Sequence, residues 1–276
     1  MGNGKKDALA SPETAFLADR RPTLSTLKND YSLKGEMYEA MLSPLQTQLQ
    51  LIQQAFLGSK ERAVIVLEGW DTAGKGGLVK RLGWSFDPRS FHVHPIGAPQ
   101  PHEARQHYLQ RFWRRLPDYS RIVLFDRSWY GRVLVERVEG LIPPPDWKRA
   151  YREINEFERQ LTDDGVRLVK LFLHITPDEQ LQRFRDRLEN PLKRWKLTYE
   201  DFRNRARWTD YEEAIEDMIE KTSTADSPWH VIPANSKNFA RIAGIRIITD
   251  RLGRGIDTTP KPLTPEFLAA ANAALK

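Results

Sequence analysis

The sequence contains no cysteine, which excludes a disulfide framework, thiolate zinc sites and cysteine nucleophiles. It also lacks any apolar run approaching the roughly 20 residues that span a bilayer. The first twenty residues carry charges and no apolar core, so we expect no signal peptide. Lys6 stands where a myristoylation signal requires Ser or Thr. These absences predict a cytoplasmic protein with no membrane partner.

The residues that are present describe a globular, mildly basic chain. Its 276 residues suit one large domain, with 40% hydrophobic and 29% charged residues. The 43 Lys and Arg residues exceed the 37 Asp and Glu residues, for a formal net charge of +6. A basic excess favours polyanionic partners, although many proteins without such partners are also mildly basic.

Short apolar runs alternate with longer segments of helical periodicity from residue 62 onward. The runs predict five buried strands, at 63–67, 91–96, 122–125, 166–173 and 229–232. Helices are predicted between them, at about 77–86, 101–116, 129–138, 146–163, 177–188, 199–222 and 237–253. A further helix is predicted to begin with Ser43 as its N-cap and Pro44 as its first residue. This alternation predicts a three-layer α/β/α fold around a mostly parallel, five-stranded sheet.

The chain shows no internal repeat and no Gly/Ser linker, so we expect one α/β domain. Residues 1–35 are polar and predict an N-terminal arm that is partly ordered at best. The domain is predicted to cover residues 36–258, followed by a C-terminal tail at 259–276.

A glycine-rich segment follows the first predicted strand and precedes a helix. It runs from Gly69 to Gly77 and fits the pattern G-x-x-x-x-G-K, with Lys75 as its lysine. Such a loop directs backbone N–H groups at phosphate oxygens, and the helix N-terminus adds a partial positive charge. The predicted phosphate-binding positions are Gly69, Ala73, Gly74, Gly76 and Gly77.

The residue after Lys75 departs from the common form of this loop. Gly76 occupies the position where Ser or Thr normally binds Mg²⁺. Asp71, inside the loop, can hold a hard cation instead. A capping role for Asp71 is the simpler alternative, but we favour the metal or acid–base role, because a polyphosphate site without a metal carries much unscreened charge.

A second acidic residue follows the third predicted strand. Asp126 stands at the end of this strand, where a Walker B acid belongs, and Arg127 comes directly after it. Open α/β sheets bind ligands outside the carboxyl ends of their strands. We therefore expect Asp71 and Asp126 to open onto one crevice as metal ligands, with Arg127 and Arg132 as phosphate contacts.

A basic, proline-broken segment joins two predicted helices at about 189–198. It contains Lys193, Arg194 and Lys196, and this composition is typical of a mobile lid that closes over phosphates. An ordinary basic connection between helices is the alternative. Residues 189–198 are called the lid segment below.

These motifs together resemble the polyphosphate kinase 2 family, which belongs among the P-loop kinases. The resemblance covers about 62–250 and rests on the stretches 68–77, 126–139, 155–158, 193–208, and 222–224 before Pro228 and Trp229. It implies transfer of a phosphoryl group between inorganic polyphosphate and a nucleoside mono- or diphosphate, with Mg²⁺. Within the family, the sequence looks most like the subgroup that converts AMP to ADP.

The resemblance also implies roles for individual residues. It implies that Asp71, Lys75, Asp126 and Arg127 are catalytic. It also implies that the missing hydroxyl at Gly76 is a trait of the family. Family members often carry tandem domains, and one is recognised here, so we expect this copy to be catalytically complete and to form homo-oligomers.

Two other functions are compatible with parts of the sequence. An ATP-dependent nucleoside monophosphate kinase of thymidylate-kinase type would use the same loop, Asp-Arg pair and lid. A nucleic-acid-binding module would use the basic surface, but the sequence carries no helix-turn-helix, zinc-finger or RNA-binding signature. We therefore expect no nucleic-acid partner.

Overall fold

The fold is built on a six-stranded sheet in a computed structural model that describes residues 8–260 and 262–275. The strands lie in the order β1-β6-β5-β2-β4-β3. Their bounds are β1 Leu17–Ala18, β2 Arg62–Gly69, β3 Phe91–Pro95, β4 Ile122–Asp126, β5 Val166–His174 and β6 Trp229–Pro233. Strands β2 to β6 pair in parallel, so the predicted α/β fold and its five strands are confirmed.

The central strand, β2, has the continuous apolar run from which it was predicted. β2 lies between β5 and β4, and its residues Ala63 to Leu67 are fully buried. A parallel strand covered by helices on both faces reads as a continuous apolar run, and this run is what the sequence shows. The register pairs Leu67 of β2 with Asp126 of β4. The ends of these two strands, and the residues that follow them, therefore share one edge.

The structure has one strand more than predicted, β1, and it lies in the N-terminal segment. Leu17 and Ala18 pair antiparallel with His230 and Trp229, so the sheet has six strands where five were predicted. Between residues 8 and 35 the chain is packed on the domain, with the Leu24 side chain 1% exposed. Two-residue strands carry too little periodicity to stand out in a polar sequence.

Eight helices of eight or more residues occur in the described part of the chain. They are α1 Gly35–Phe56, α2 Lys75–Ser85, α3 Pro144–Asp163, α4 Pro177–Glu189, α5 Tyr199–Ala206, α6 Trp208–Thr222, α7 Lys237–Gly253 and α8 Pro265–Ala274. Helix α7 packs on α1, α2 and β5, whereas α3 packs on β5 and α6. Single turns of helix lie at Pro12–Ala15, Leu24–Thr26, Glu103–Arg105, Gln110–Trp113, Trp129–Arg132, Val135–Val138 and Arg194–Lys196. No helix in the described ranges has the length and apolar character of a membrane span.

Four predicted helices differ from the structure. Helix α1 begins at Gly35, and Pro44 lies inside it, because the buried side chains of Tyr38 and Leu42 extend the apolar stripe upstream of the proline. The segments predicted as helices at 101–116 and 129–138 hold only single turns. The helix predicted at 199–222 is divided at Arg207, where φ is −107° and ψ is 29°, into α5 and α6.

A buried polar network joins three of the stretches that carry the family resemblance. Lys170 of β5 and Glu158 of α3 form an ion pair of 2.7 Å, with side chains 0% and 2% exposed. The Glu158 carboxylate also accepts hydrogen bonds from Trp129, Tyr130 and Ser227. The segment after β4, helix α3 and the turn before β6 are therefore fixed to one another by one buried acid.

We expect Glu158→Ala to lower the free energy of unfolding by about 3–5 kcal/mol, because it leaves the Lys170 ammonium buried without its counter-charge. Urea unfolding followed by circular dichroism measures this change. The matched control is Asp163→Ala on the same helix, which breaks an exposed pair with Arg159 and is expected to cost about 0.5 kcal/mol or less. Equal losses for the two variants would contradict a structural role for the buried pair.

Candidate functional site

The glycine-rich loop begins where β2 leaves the sheet. At Gly69 φ is +149°, and a Cβ atom there would lie 2.6 Å from the Leu173 carbonyl oxygen of β5. Only glycine permits this close approach. Gly74 adopts a left-handed conformation with φ of +111° and caps α2, which begins at Lys75 as the motif predicts.

The loop leaves several hydrogen-bond donors without partners. The backbone N–H groups of Thr72, Gly74, Lys75 and Gly76 meet no acceptor among residues 8–260 and 262–275. The Thr72 hydroxyl is buried and also has no partner in that part of the chain. Free N–H groups at a glycine-rich turn and a helix N-terminus form an anion-binding site.

Lys75 is folded back on its own loop. Its Nζ donates to the carbonyl oxygens of Gly69 at 2.6 Å and Trp70 at 3.1 Å. Burial, followed by the like charge of Arg127, lowers the pKa of Lys75 below its ordinary value. The nearby carboxylates of Asp71 and Asp126 act in the opposite direction. An ammonium group held by two carbonyl oxygens can exchange them for phosphate oxygens at small cost.

Asp71 and Arg127 form an ion pair across the two strand ends. Arg127 Nη2 lies 3.0 Å from Asp71 Oδ1. Arg127 has φ of +64°, a left-handed conformation that costs a non-glycine residue some strain. The strain is offset by the backbone hydrogen bond from Arg127 to Leu67 and by the pair itself.

Asp126 lies at the end of β4, as predicted, and faces the same group of charges. Its carboxylate accepts no hydrogen bond from the part of the chain that the structure describes. Glu68, the residue before the loop, is a third acid here that the sequence analysis did not select. It is 5% exposed, accepts a 2.8 Å hydrogen bond from Ser128, and has a pKa raised by burial.

The acids fit the requirements of a hard divalent cation. Mg²⁺ is held by one or two carboxylates together with phosphate oxygens and water, so a complete protein cage is not needed. The unpartnered Asp126 carboxylate and that of Asp71 supply oxygen donors of this type. Among the described residues no cluster of three or more metal-ligating side chains occurs.

A cavity of about 850 Å³ opens beside the loop, within the size range of small-molecule sites. Gly69, Asp71 and Arg127 line it near the strand ends. The segments 96–112 and 131–149 supply most of the remaining wall. Arg132, predicted as a phosphate contact, lines the cavity and pairs with Glu136 at 2.7 Å.

The lid segment is not brought to the loop. Lys193, Arg194 and Lys196 are exposed and do not line the cavity. Their contacts are local, as in the hydrogen bond from Arg194 Nε to the Leu188 carbonyl oxygen. In the described part of the chain, none of these three cations is hydrogen-bonded or ion-paired to the four predicted catalytic residues.

Two residues that sequence reasoning missed hold the loop in place. Arg183 of α4 is 3% exposed and donates to the carbonyl oxygens of Thr72 and Ala234. Asn204 of α5 donates to Asp71 Oδ2 at 2.9 Å. Both lie more than a hundred residues from the loop, and no local pattern marks them.

Comparison with known proteins agrees with these features. A model of the polyphosphate kinase 2 family matches residues 32–257. The Pseudomonas aeruginosa polyphosphate:AMP phosphotransferase is 43% identical over 248 residues, which are 90% of this chain and 50% of that protein. The AMP/ADP-polyphosphate phosphotransferase of Meiothermus ruber is 40% identical over 201 residues, 72% of this chain and 75% of that protein.

The fold matches a solved structure over almost its whole length. The crystal structure of polyphosphate kinase 2 from Arthrobacter aurescens has a TM-score of 0.87 and 33% sequence identity, with 96% of each chain covered. The chain spans about half the length of the Pseudomonas aeruginosa enzyme. The matched region includes the loop, both strand-end acids and the lid segment. The chain therefore belongs to the polyphosphate kinase 2 family.

Proposed function

We propose that the chain transfers a phosphoryl group from inorganic polyphosphate to a nucleotide, reversibly. Conversion of AMP to ADP is favoured, and conversion of ADP to ATP is the second reaction of the same site. The relatives that support this proposal are a polyphosphate:AMP phosphotransferase and an AMP/ADP-polyphosphate phosphotransferase. Both substrates of this reaction are polyanions, which agrees with the basic net charge of the chain.

One observation carries this proposal. Lys75, Arg127, Asp71 and Asp126 meet at one edge of the sheet, beside free loop N–H groups and a cavity of about 850 Å³. Phosphoryl transfer needs positioned groups that neutralise charge on phosphate oxygens, with little covalent chemistry from the protein. This group of charges meets that need.

The proposed role of each residue follows from the chemistry of its side chain or backbone group. The free N–H groups of the loop and the Lys75 ammonium would bind the oxygens of the phosphoryl group that moves. The P–O bond to the remaining polyphosphate breaks as a phosphate oxygen of the acceptor nucleotide forms the new one. Arg127 would neutralise the charge that spreads over the equatorial oxygens.

Asp71 and Asp126 would hold the metal, which we propose to be Mg²⁺. When bound, Mg²⁺ neutralises phosphate charge and orients the phosphate oxygens. Arg132 lies on the cavity wall and would contact phosphate there. Lys193, Arg194 and Lys196 are exposed and would contact the phosphates when the lid segment closes over them.

Turnover is expected to fall at least a hundredfold in Lys75→Ala and in Asp126→Asn, since each removes one group that stabilises the transition state. Initial rates of ADP formation from AMP, polyphosphate and Mg²⁺ measure the effect. Circular dichroism and the melting temperature establish that each variant is folded.

Lys80→Ala is the matched control for Lys75→Ala. Lys80 is exposed on the same helix, and its Nζ lies over the Trp84 ring. We expect near-normal turnover for this variant. Near-normal turnover in folded Lys75→Ala or Asp126→Asn would remove these residues from the proposed mechanism.

The choice of donor separates this function from an ATP-dependent nucleoside monophosphate kinase. We expect ADP to form from AMP and Mg²⁺ with polyphosphate and much more slowly with ATP as the donor. Parallel reactions with AMP, ADP, GMP and GDP, followed by chromatography, measure donor and acceptor preference together. Rapid ADP formation with ATP alone would favour the kinase of thymidylate-kinase type.

The expected homo-oligomer stays a prediction, and sedimentation analysis tests it. The nucleic-acid-binding alternative has no support from the family match. Salt-dependent DNA binding without phosphotransfer activity would restore it.

A further inference from the structure

Helix α5 and the residue that opens α6 contact the phosphate loop at two points. Asn204 Nδ2 donates to Asp71 Oδ2 at 2.9 Å. Trp208 stacks on Trp70, with ring centroids 3.7 Å apart and an interplanar angle of 4°. Trp70 is fixed in turn by a 3.0 Å hydrogen bond to His174 Nδ1. Two consecutive loop residues are thus held by the helical segment that follows the lid segment.

The orientation of the Asn204 amide follows from the chemistry of its neighbours. An ionised carboxylate only accepts hydrogen bonds, so the NH₂ group must face Asp71. The amide oxygen then faces the Tyr211 hydroxyl at 3.2 Å. Burial and the nearby Glu139 carboxylate raise the pKa of Tyr211. Its single hydroxyl proton is shared between Asn204 Oδ1 and Glu139 Oε1, each 3.2 Å away.

Both carboxylate oxygens of Asp71 therefore have a cationic or amide donor. Arg127 holds Oδ1 and Asn204 holds Oδ2. The Gln180 side chain also donates to the Asp71 carbonyl oxygen at 3.3 Å. The Asp71 carboxylate is therefore held by Arg127 and by Asn204, and of these two residues only Asn204 belongs to α5.

The lid segment itself has little to hold it. Leu192 is 84% exposed and Trp195 is 76% exposed, and its hydrogen bonds run mostly within the segment or to the adjacent end of α4. Its position therefore depends on the helices at its two ends. Helix α5 is attached to α4 by Phe202 against Phe184 and to the body by Arg203, which pairs with Glu139 at 3.0 Å.

We propose that Asn204 is a positioning residue that orients Asp71 and docks α5, and with it the lid segment, onto the phosphate loop. The inference rests on the proposed function for the role of Asp71 in phosphoryl transfer. The docking contact itself is independent of that function. Metal and phosphate binding at Asp71 would then be coupled to the position of the lid segment.

Limited trypsin digestion without substrate tests the docking. Lys193, Arg194 and Lys196 are trypsin sites within the lid segment, and mass spectrometry identifies cleavage there. We expect Asn204→Ala to raise the rate of this cleavage roughly five- to tenfold, because α5 loses a hydrogen bond to a charged group. Asp71→Ala should give a similar increase, and the double variant should give no further one.

The dependence of turnover on Mg²⁺ tests the positioning. We expect Asn204→Ala to lower kcat and to raise the half-saturating Mg²⁺ concentration, each about tenfold, as supporting residues of metal ligands do. A merely structural defect would reduce the active fraction and leave the half-saturating concentration unchanged. Asn204→Gln, which keeps the amide, should recover part of the loss.

Asn155→Ala is the matched control, since the Asn155 amide donates to the Lys221 carbonyl oxygen at the end of α6 and makes no hydrogen bond to the loop among the described residues. It should change neither the cleavage of the lid segment nor the Mg²⁺ dependence. An unchanged cleavage rate in Asn204→Ala, or additive effects in the double variant, would overturn the docking. An unchanged Mg²⁺ dependence in active protein would overturn the positioning, whereas an inactive wild-type protein would instead overturn the proposed function.

Discussion

The parallel pairing of β2 with β4 is the constraint on which the site depends. Its register places Leu67 beside Asp126, so the loop after β2 and the acid at the end of β4 leave the sheet side by side. Two cations and several acids then lie together at one edge, where each charge lowers the cost of burying those of opposite sign. In another register, Asp126 and the loop after β2 would lie at different heights along the sheet.

Contacts from the rest of the fold hold the loop and the residue after β4 in strained backbone conformations. Thr72 and Arg127 both have positive φ, and neither is glycine. Arg183 binds the Thr72 carbonyl oxygen from α4, and Gly69 lets the loop pass close to β5. Strain of this kind persists where surrounding contacts over-determine the backbone, and it is common at sites that must present N–H groups to a ligand.

The buried Glu158–Lys170 pair connects stability to the site at a distance. Glu158 accepts hydrogen bonds from Trp129 and Tyr130, which lie two and three residues after Arg127 in the chain. The segment that carries Arg127 is thereby fixed to α3 and β5. Trp129, Tyr130 and Glu158 therefore have a structural role, although most of the 126–139 stretch lines the cavity.

The sequence alone was sufficient for the five parallel strands, the loop between β2 and α2, and the position of Asp126. These features depend on local periodicity and on residue order, since a buried parallel strand needs a continuous apolar run and a phosphate loop needs its glycines in place. The tertiary structure decided the roles of β1, Glu68, Arg183 and Asn204, and it extended α1 upstream through Pro44. It also placed the lid cations outside the cavity wall. These outcomes depend on contacts between residues far apart in the chain, and no local pattern encodes the distance between an amide on α5 and a carboxylate after β2.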